Sequence, residues 1–246
     1  MKFLTAFLTF ATMLVAALQE ELVQTRAGNC PSPPLLAGYI GTSNCYPSSP
    51  ISSCGSVPDY GVSAAEKDQI VYYFNYLRAW VASGKETRGS PGPQPTASNM
   101  RRMVWDERLA ATAQGWANNC QFGHDRSECR NYGTSFKAAG QNIAWSWGTG
   151  AKDWWATILD WYNEVASFDS RSVSRYSFSM TTGHYSQLVW ASTYAVGCGY
   201  VAYGGGNKLY VCNYGPSGNL QGATVYGVGT PCTCCQSSCT WGLLCD

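Results

Sequence analysis

The sequence contains only two histidines, His124 and His184, and its charges nearly cancel, with 16 Lys and Arg against 15 Asp and Glu and a net charge of +1. A balance this close to zero argues against the strongly basic surface by which proteins bind nucleic acid or anionic membranes. The scarcity of histidine argues against a zinc site built mainly from imidazoles. No Asn-x-Ser/Thr sequence occurs, so N-glycosylation is not expected.

Long apolar runs are missing except at the amino terminus, where one Lys precedes about fifteen mostly apolar residues. The run ends in the small residues Val15–Ala17, and Gln19, Glu20 and Glu21 follow. A membrane anchor is the alternative, but the run is short for a membrane span. We therefore predict a secretory signal peptide at residues 1–17, an extracellular location and no transmembrane segment.

All twelve cysteines follow the predicted signal peptide. In an oxidising compartment an even number of cysteines predicts a disulfide framework. A zinc site is the alternative, and the cysteine spacing lacks the two paired C-x-x-C motifs that would support it. Seven cysteines precede residue 228 and five lie in residues 228–246. Because both counts are odd, full intramolecular pairing requires at least one bond between the body and the tail.

Apolar residues recur at helical spacing in three segments, which predicts helices over 63–84, 103–120 and 152–165. Ser63 and Glu66 have the spacing of a capping box at the start of the first helix. The stretch between the first two helices contains three prolines and two glycines, which predicts a loop.

Short β-branched and aromatic runs predict strands over 184–192, 195–203 and 208–216, and the flexible sequence Gly204–Asn207 joins the last two as a hairpin. The hairpin argues for an antiparallel sheet with helices on its faces, an α+β fold.

The expected domain spans residues 63–227 and is flanked by two cysteine-containing segments. Residues 18–62 are rich in Pro, Ser and Gly and should be irregular. Residues 228–246 cannot bury a core of their own and should form a tail held by disulfides.

Several motifs resemble those of the CAP superfamily, which covers cysteine-rich secretory proteins, insect venom allergens and plant pathogenesis-related proteins. The motifs are GHYSQLVW from Gly183, LYVCNYGPSGNL from Leu209, GQNIA from Gly140, WDERLAATAQGWANNC from Trp105 and NYLR from Asn75. The segments ETRGSPGPQP and CQFGHDRSECRN are similar to the venom allergen branch. The resemblance implies a three-layer α-β-α sandwich, with disulfides Cys198–Cys212 and Cys54–Cys120.

Members of this superfamily often carry two His and two Glu in a central cleft, where some bind a divalent cation. By the resemblance, His184 and Glu164 match one His and one Glu, whereas Phe74 and Gln141 stand at the other two positions. Phe74 has no lone pair, and an amide oxygen is a weak ligand beside a carboxylate. We therefore predict a cleft that binds no metal and no cofactor.

The remaining His184–Glu164 pair is expected to share a hydrogen bond or a water, and either to orient a groove wall or to contact a ligand. His124 lies near Cys120 and Cys129 in the sequence, where it is expected to hold a loop rather than to complete a metal site.

A serine-hydrolase interpretation would use Ser186 as nucleophile and His184 as base, with Glu164 orienting the ring. No G-x-S-x-G motif supports it. We therefore predict no catalytic residue and no enzyme, with weak serine-type proteolysis as an alternative.

The predicted function is that of a secreted, venom-allergen-like, monomeric protein of venom or saliva that binds an extracellular partner. One possible partner is a small lipid in a slot lined by tryptophans, namely Trp145, Trp147, Trp154, Trp155 and Trp161. The other is a host extracellular protein such as a channel or receptor. No Arg-Gly-Asp sequence is present, so integrin binding through that motif is set aside.

Overall fold

The structure is a computed structural model that describes residues 45–246, so the predicted signal peptide and the first part of the N-terminal segment lie outside the described residues. Its helices are α1 (Ala64–Ala82), α2 (Glu107–Ala117), α3 (Ser127–Arg130), α4 (Trp154–Asn163) and α5 (Gly183–Leu188). Its strands are β1 (Asp59–Tyr60), β2 (Val104–Trp105), β3 (Gly140–Trp147), β4 (Ala195–Tyr203), β5 (Asn207–Gly215), β6 (Cys239–Thr240) and β7 (Leu244–Cys245). No helix in residues 45–246 is long and apolar enough to cross a membrane.

A five-stranded sheet occupies the middle layer, in the order β1-β4-β5-β3, with β2 pairing beside β4. All pairs along the main path are antiparallel, and the short β2–β4 pair is parallel. The predicted β4–β5 hairpin is confirmed, and its turn residues Gly204–Gly206 all have positive φ, which glycine adopts without strain.

Helices cover both faces of the sheet, which confirms the three-layer sandwich. On one face α2 packs so closely on β4 that a Cβ at Gly197 would lie 2.1 Å from the backbone N of Ala110. On the other face Trp154 of α4 packs edge-to-face against Tyr200 and Tyr210, at centroid distances of 6.4 and 5.1 Å. Side chains at successive strand positions therefore pack against helices on opposite faces of the sheet.

The first predicted helix is confirmed together with its capping box. The Ser63 backbone N–H donates to Glu66 Oε2 at 2.7 Å, and the Glu66 N–H donates to Ser63 Oγ at 3.4 Å. The second helix begins later than predicted, because Asp106 accepts the N–H groups of Arg108 and Leu109 and caps α2.

The predicted strand over 184–192 is wrong, because its first half forms helix α5. Ser186 N–H donates to Thr182 O and Val189 N–H donates to Tyr185 O, both at 3.0 Å. The aromatic and β-branched composition reflects burial rather than strand pairing, since the side chains from Tyr185 to Leu188 are all buried. Strand β3, which the periodicity did not indicate, pairs along its whole length with β5.

Disulfides join the two hairpin strands, hold the segment before α1 and cross-link the tail within itself. Cys198 and Cys212 lie directly opposite each other in the hairpin and are bonded, and Cys54 is bonded to Cys120, as the resemblance implied. The other bonds between described residues are Cys45–Cys129, Cys232–Cys239 and Cys235–Cys245. Cys234 is disulfide-bonded as well.

The fully buried side chain of Arg78 in α1 ties two loops to that helix. Its Nε donates to the carbonyl of Arg101 at 2.8 Å. Its two terminal nitrogens donate to four carbonyls at 2.8–3.3 Å, which belong to Leu188, Trp190, Ala191 and Thr193. All five N–H donors of the guanidinium are thereby used by backbone oxygens.

We expect Arg78→Lys to reduce the free energy of unfolding by about 3–5 kcal/mol, because the ammonium has three donors and leaves buried carbonyls unpaired. Urea unfolding followed by tryptophan fluorescence measures the loss. Arg171→Lys is the matched control, since Arg171 is exposed and pairs only with Asp169. Equal midpoints for the two variants would contradict this role of Arg78.

Candidate functional site

The carboxylate of Glu164 joins the ring of His184 directly, without an intervening water. Glu164 Oε1 lies 2.7 Å from His184 Nδ1. The other oxygen, Oε2, accepts the backbone N–H groups of His184 at 2.8 Å and Tyr185 at 3.1 Å. Both carboxylate oxygens are therefore engaged, one with the ring and one with the first turn of α5.

Helix α4 brings Glu164 to this position. Asp153 caps its start through the N–H of Ala156, and Trp154, Ile158 and Trp161 face the core. Glu164 follows immediately after the last residue of α4, in a 3-10 turn that runs to Ser167. The site therefore depends on how the end of one helix meets the start of another.

Aromatic side chains border His184. The ring of Trp161 lies 6.0 Å from that of His184. Phe178 lies beside Gly183, where an added Cβ would be 3.3 Å from its ring. The side chain of His184 is 31% exposed and that of Glu164 is 20% exposed, so the pair is partly open to solvent beside these aromatic rings, at the place that we call the cleft.

Phe74 adds no polar group to this cleft. It is fully buried and packs edge-to-face against Tyr214, with ring centroids 5.6 Å apart. Where the resemblance calls for a coordinating imidazole, the chain therefore has a hydrophobic core residue.

The structure does not bring Gln141 to His184. Gln141 Nε2 donates to Asn213 Oδ1 at 3.0 Å, and Asn213 Nδ2 donates to Thr112 Oγ1 of α2, on the other face of the sheet. The next residue, Asn142, faces His184 instead, and its Nδ2 donates to the His184 carbonyl at 3.2 Å. Alternation along β3 explains the difference, since neighbouring strand residues point to opposite faces.

His124 belongs to the α2 side as well. Its Nδ1 lies 2.9 Å from Gln141 Oε1. The adjacent Asp125 pairs with Arg130 and accepts the hydroxyl of Tyr46, in a polar cluster next to the Cys45–Cys129 disulfide. His124 thus holds a loop and is not near the His184–Glu164 pair.

Ser186 is fully buried and its hydroxyl is already bonded. Ser186 Oγ lies 2.7 Å from Asn219 Oδ1, 3.2 Å from Gly183 O and 3.0 Å from the hydroxyl of Tyr176. Because residues 184–188 are helical rather than extended, His184 and Ser186 do not share a face. The structure therefore does not pair His184 with Ser186.

The residues present do not fit a zinc ion. A structural or catalytic zinc needs three or four protein ligands, and this cleft offers one imidazole and one carboxylate whose oxygens are both engaged. Among the described residues, Cys232, Cys235 and Cys239 lie close enough together to suggest a metal cluster, but all three sulfurs are in disulfides.

The five tryptophans of the predicted lipid slot are dispersed. Trp154 and Trp161 are buried, Trp155 packs against Tyr73 at a centroid distance of 5.0 Å, and Trp145 and Trp147 are exposed on β3. A cavity of about 520 Å³ lies elsewhere, between the body and the tail. Trp190, Leu220, Val225 and Gln236 contribute to its wall, and its volume is in the range of small-molecule sites.

The buried carboxylate of Glu86, which no sequence motif indicated, supports the end of α4. Glu86 accepts the hydroxyl of Tyr162 at 2.6 Å and the side chain of Arg88 at 2.8–2.9 Å. Arg88 in turn donates to Asn163 Oδ1, next to Glu164. Burial alone would raise the pKa of Glu86, but the hydrogen bonds from Arg88 and Tyr162 outweigh it and lower that pKa below its usual value.

Comparison with known proteins identifies relatives over most of the chain. Residues 71–214 match the family described as CAP: Cysteine-rich secretory protein family. Venom allergen 3 homolog of Dinoponera quadriceps is 41% identical over 236 residues, which cover 92% of this chain and 99% of that protein. Venom allergen 3 of Solenopsis invicta is 45% identical over 185 residues, covering 71% and 77% of the two chains.

Solved structures are also similar to this chain in fold and in sequence. The crystal structure of NaASP2 with Zn²⁺ superposes with a TM-score of 0.66 at 30% identity, covering 78% of this chain and all of that one. The crystal structure of Na-ASP-1 gives a TM-score of 0.67 at 27% identity, covering 84% of this chain and 52% of the other.

We expect Glu164→Ala to lower the free energy of unfolding by about 1.5–3 kcal/mol, because it removes the charged acceptor for two backbone N–H groups of α5. Glu164→Gln keeps one acceptor oxygen and should lose less. Chemical denaturation compares both with Asp160→Ala, an exposed acid on α4. If Glu164→Ala and Asp160→Ala were equally stable, the carboxylate would not be holding the start of α5.

Proposed function

The chain belongs to the cysteine-rich secretory protein (CAP) family, and we propose that this venom-allergen-like member is secreted into venom or saliva and acts there by binding rather than by catalysis. Its partner is a small lipid or a host extracellular protein, which it meets as a monomer. The disulfides support an extracellular location, because such bonds persist in oxidising compartments.

The observation that carries the non-enzymatic proposal is the placement of Ser186. A serine nucleophile needs a general base within hydrogen-bond reach and access to a substrate. The Ser186 hydroxyl is buried and bonded to Asn219 and Tyr176, and Glu164 orients the ring of His184 on a side of α5 that Ser186 does not share. The residues that would form a hydrolase site are used to hold α5 in place.

We expect no labelling of Ser186 by a serine-directed fluorophosphonate probe, because its hydroxyl is inaccessible and has no base. Gel fluorescence and peptide mass spectrometry measure the labelling, with an active serine protease as positive control and heat-denatured protein as background. Labelling at Ser186 that heat abolishes would show a folded, reactive serine and refute the proposal.

The cleft is also proposed to be free of metal. NaASP2, the structural relative, has been crystallised with Zn²⁺. In this chain Phe74 and the position of Gln141 on the opposite sheet face leave His184 and Glu164 without further ligands. Water would have to complete the coordination shell, which weakens binding because Zn²⁺ prefers three or four protein ligands.

We expect titration calorimetry with micromolar zinc to give no saturable one-to-one heat, and His184→Ala to give the same trace as the unaltered protein. Gln141→Glu should not create a site, because its side chain faces His124 and Asn213. Stoichiometric heat that disappears in His184→Ala would contradict the metal-free cleft.

A further inference from the structure

The solvent face of α1 changes character along the helix. Asp68 and Gln69 are exposed in its first half, as is usual for a surface helix. From Ile70 to Ala82 every exposed residue is aromatic, and these residues are Tyr72, Tyr76 and Trp80, at 55%, 44% and 37% exposure. They follow one another at four-residue spacing and so lie in a row along one side of the helix.

The rings of this row are regularly placed. The centroids of Tyr72 and Tyr76 are 6.3 Å apart and those of Tyr76 and Trp80 are 6.5 Å apart, with interplanar angles of 25° and 30°. Trp155 of α4 adds a ring 6.3 Å from Tyr76. We call Tyr72, Tyr76, Trp80 and Trp155 the aromatic ridge.

The aromatic ridge is held by a rigid support. The opposite side of α1 is in the core, where Ile70, Phe74 and Val81 are fully buried and Arg78 is bonded to five backbone carbonyls. A partner that stacks on these rings therefore meets a surface whose spacing is already set, which reduces the entropy lost on binding.

The aromatic ridge has almost no charge. The one charged residue between Ile70 and Ala82 is Arg78, and it is buried. Lys85, beyond the end of the helix, lies over Trp80 with its Nζ 5.4 Å from the ring centroid. A polyanion or an anionic membrane would find no basic cluster along the row, so the complementary partner is uncharged.

We propose that the aromatic ridge binds a neutral, extended polysaccharide by stacking sugar rings on its aromatic rings. A pyranose presents an apolar C–H face and a rim of hydroxyls, which suits half-exposed rings that carry phenol and indole polar groups. The rings succeed one another in a line at centroid distances of 6.3 and 6.5 Å, so an extended polymer can contact several of them at once. No exposed aliphatic residue lies between them to enter a bilayer, which disfavours a membrane as the partner.

This proposal concerns a surface separate from the His184–Glu164 pair, so it does not depend on whether the cleft binds metal. The test uses the full secreted chain and two insoluble neutral β-linked polysaccharides, chitin and microcrystalline cellulose. Binding isotherms are measured by depletion from the supernatant. The protein should be retained by at least one polysaccharide.

The double variant Tyr72→Ala/Tyr76→Ala should weaken retention by about tenfold or more, because it removes two of the stacking rings. Tyr76→Phe keeps the ring and should stay within about twofold of the unaltered protein. Phe122→Ala is the matched control, since Phe122 is 67% exposed and lies outside the aromatic ridge. Urea midpoints confirm that all variants are folded.

Four outcomes would overturn the proposal. They are no retention by either polysaccharide, an equal loss in Phe122→Ala, a loss in Tyr76→Phe as large as in the double variant, and retention unchanged in the double variant. Phosphatidylcholine vesicles and sedimentation equilibrium are run in parallel. If the double variant loses vesicle binding or self-association while polysaccharides are not bound, the aromatic ridge serves a membrane or a second copy instead.

Discussion

The guanidinium of Arg78 connects α1 to two segments that are distant in sequence. Its five carbonyl partners lie just before β2, at the last residue of α5, and between α5 and β4. Burial lowers the pKa of Arg78 to about 9, so desolvation disfavours the charge, and the ring of carbonyl dipoles compensates for the lost water. The neighbouring Asn75 extends the connection by exchanging two hydrogen bonds with the backbone of Met103. One face of α1 thereby determines where the sheet begins and where α5 ends.

The cleft follows from this arrangement because α5 is held at both ends. Arg78 binds the carbonyl of Leu188 at its end, and Glu164 binds the N–H groups at its start. His184 is in the first turn of a helix that cannot shift without breaking both contacts. The position of His184 is therefore a consequence of packing. The hydrogen bond between its ring and Glu164 further holds the start of α5 in place.

Buried and half-buried carboxylates in this protein mainly organise backbone and helix ends. Glu86 supports the end of α4 through Arg88 and Tyr162, and Glu164 supports the start of α5. In neither side chain does a carboxylate oxygen remain free to coordinate a metal ion. These carboxylates are thus engaged inside the fold, whereas the outer surface of α1 presents the uncharged aromatic rings of Tyr72, Tyr76 and Trp80.

Local chemistry along the chain was sufficient for several features of this protein. The capping box depends only on Ser63 and Glu66 being three residues apart, and the glycine turn depends only on the backbone freedom of its glycines. Two odd cysteine counts require a bond between the body and the tail in any fold. Motif resemblance placed His184 with Glu164 and indicated the layers. The tertiary structure alone decided that residues 184–188 are helical, because Glu164 supplies the acceptor for the first N–H groups. It also decided which way Gln141 and Asn142 point, because the side of a strand that faces each helix is determined by packing partners far away in sequence.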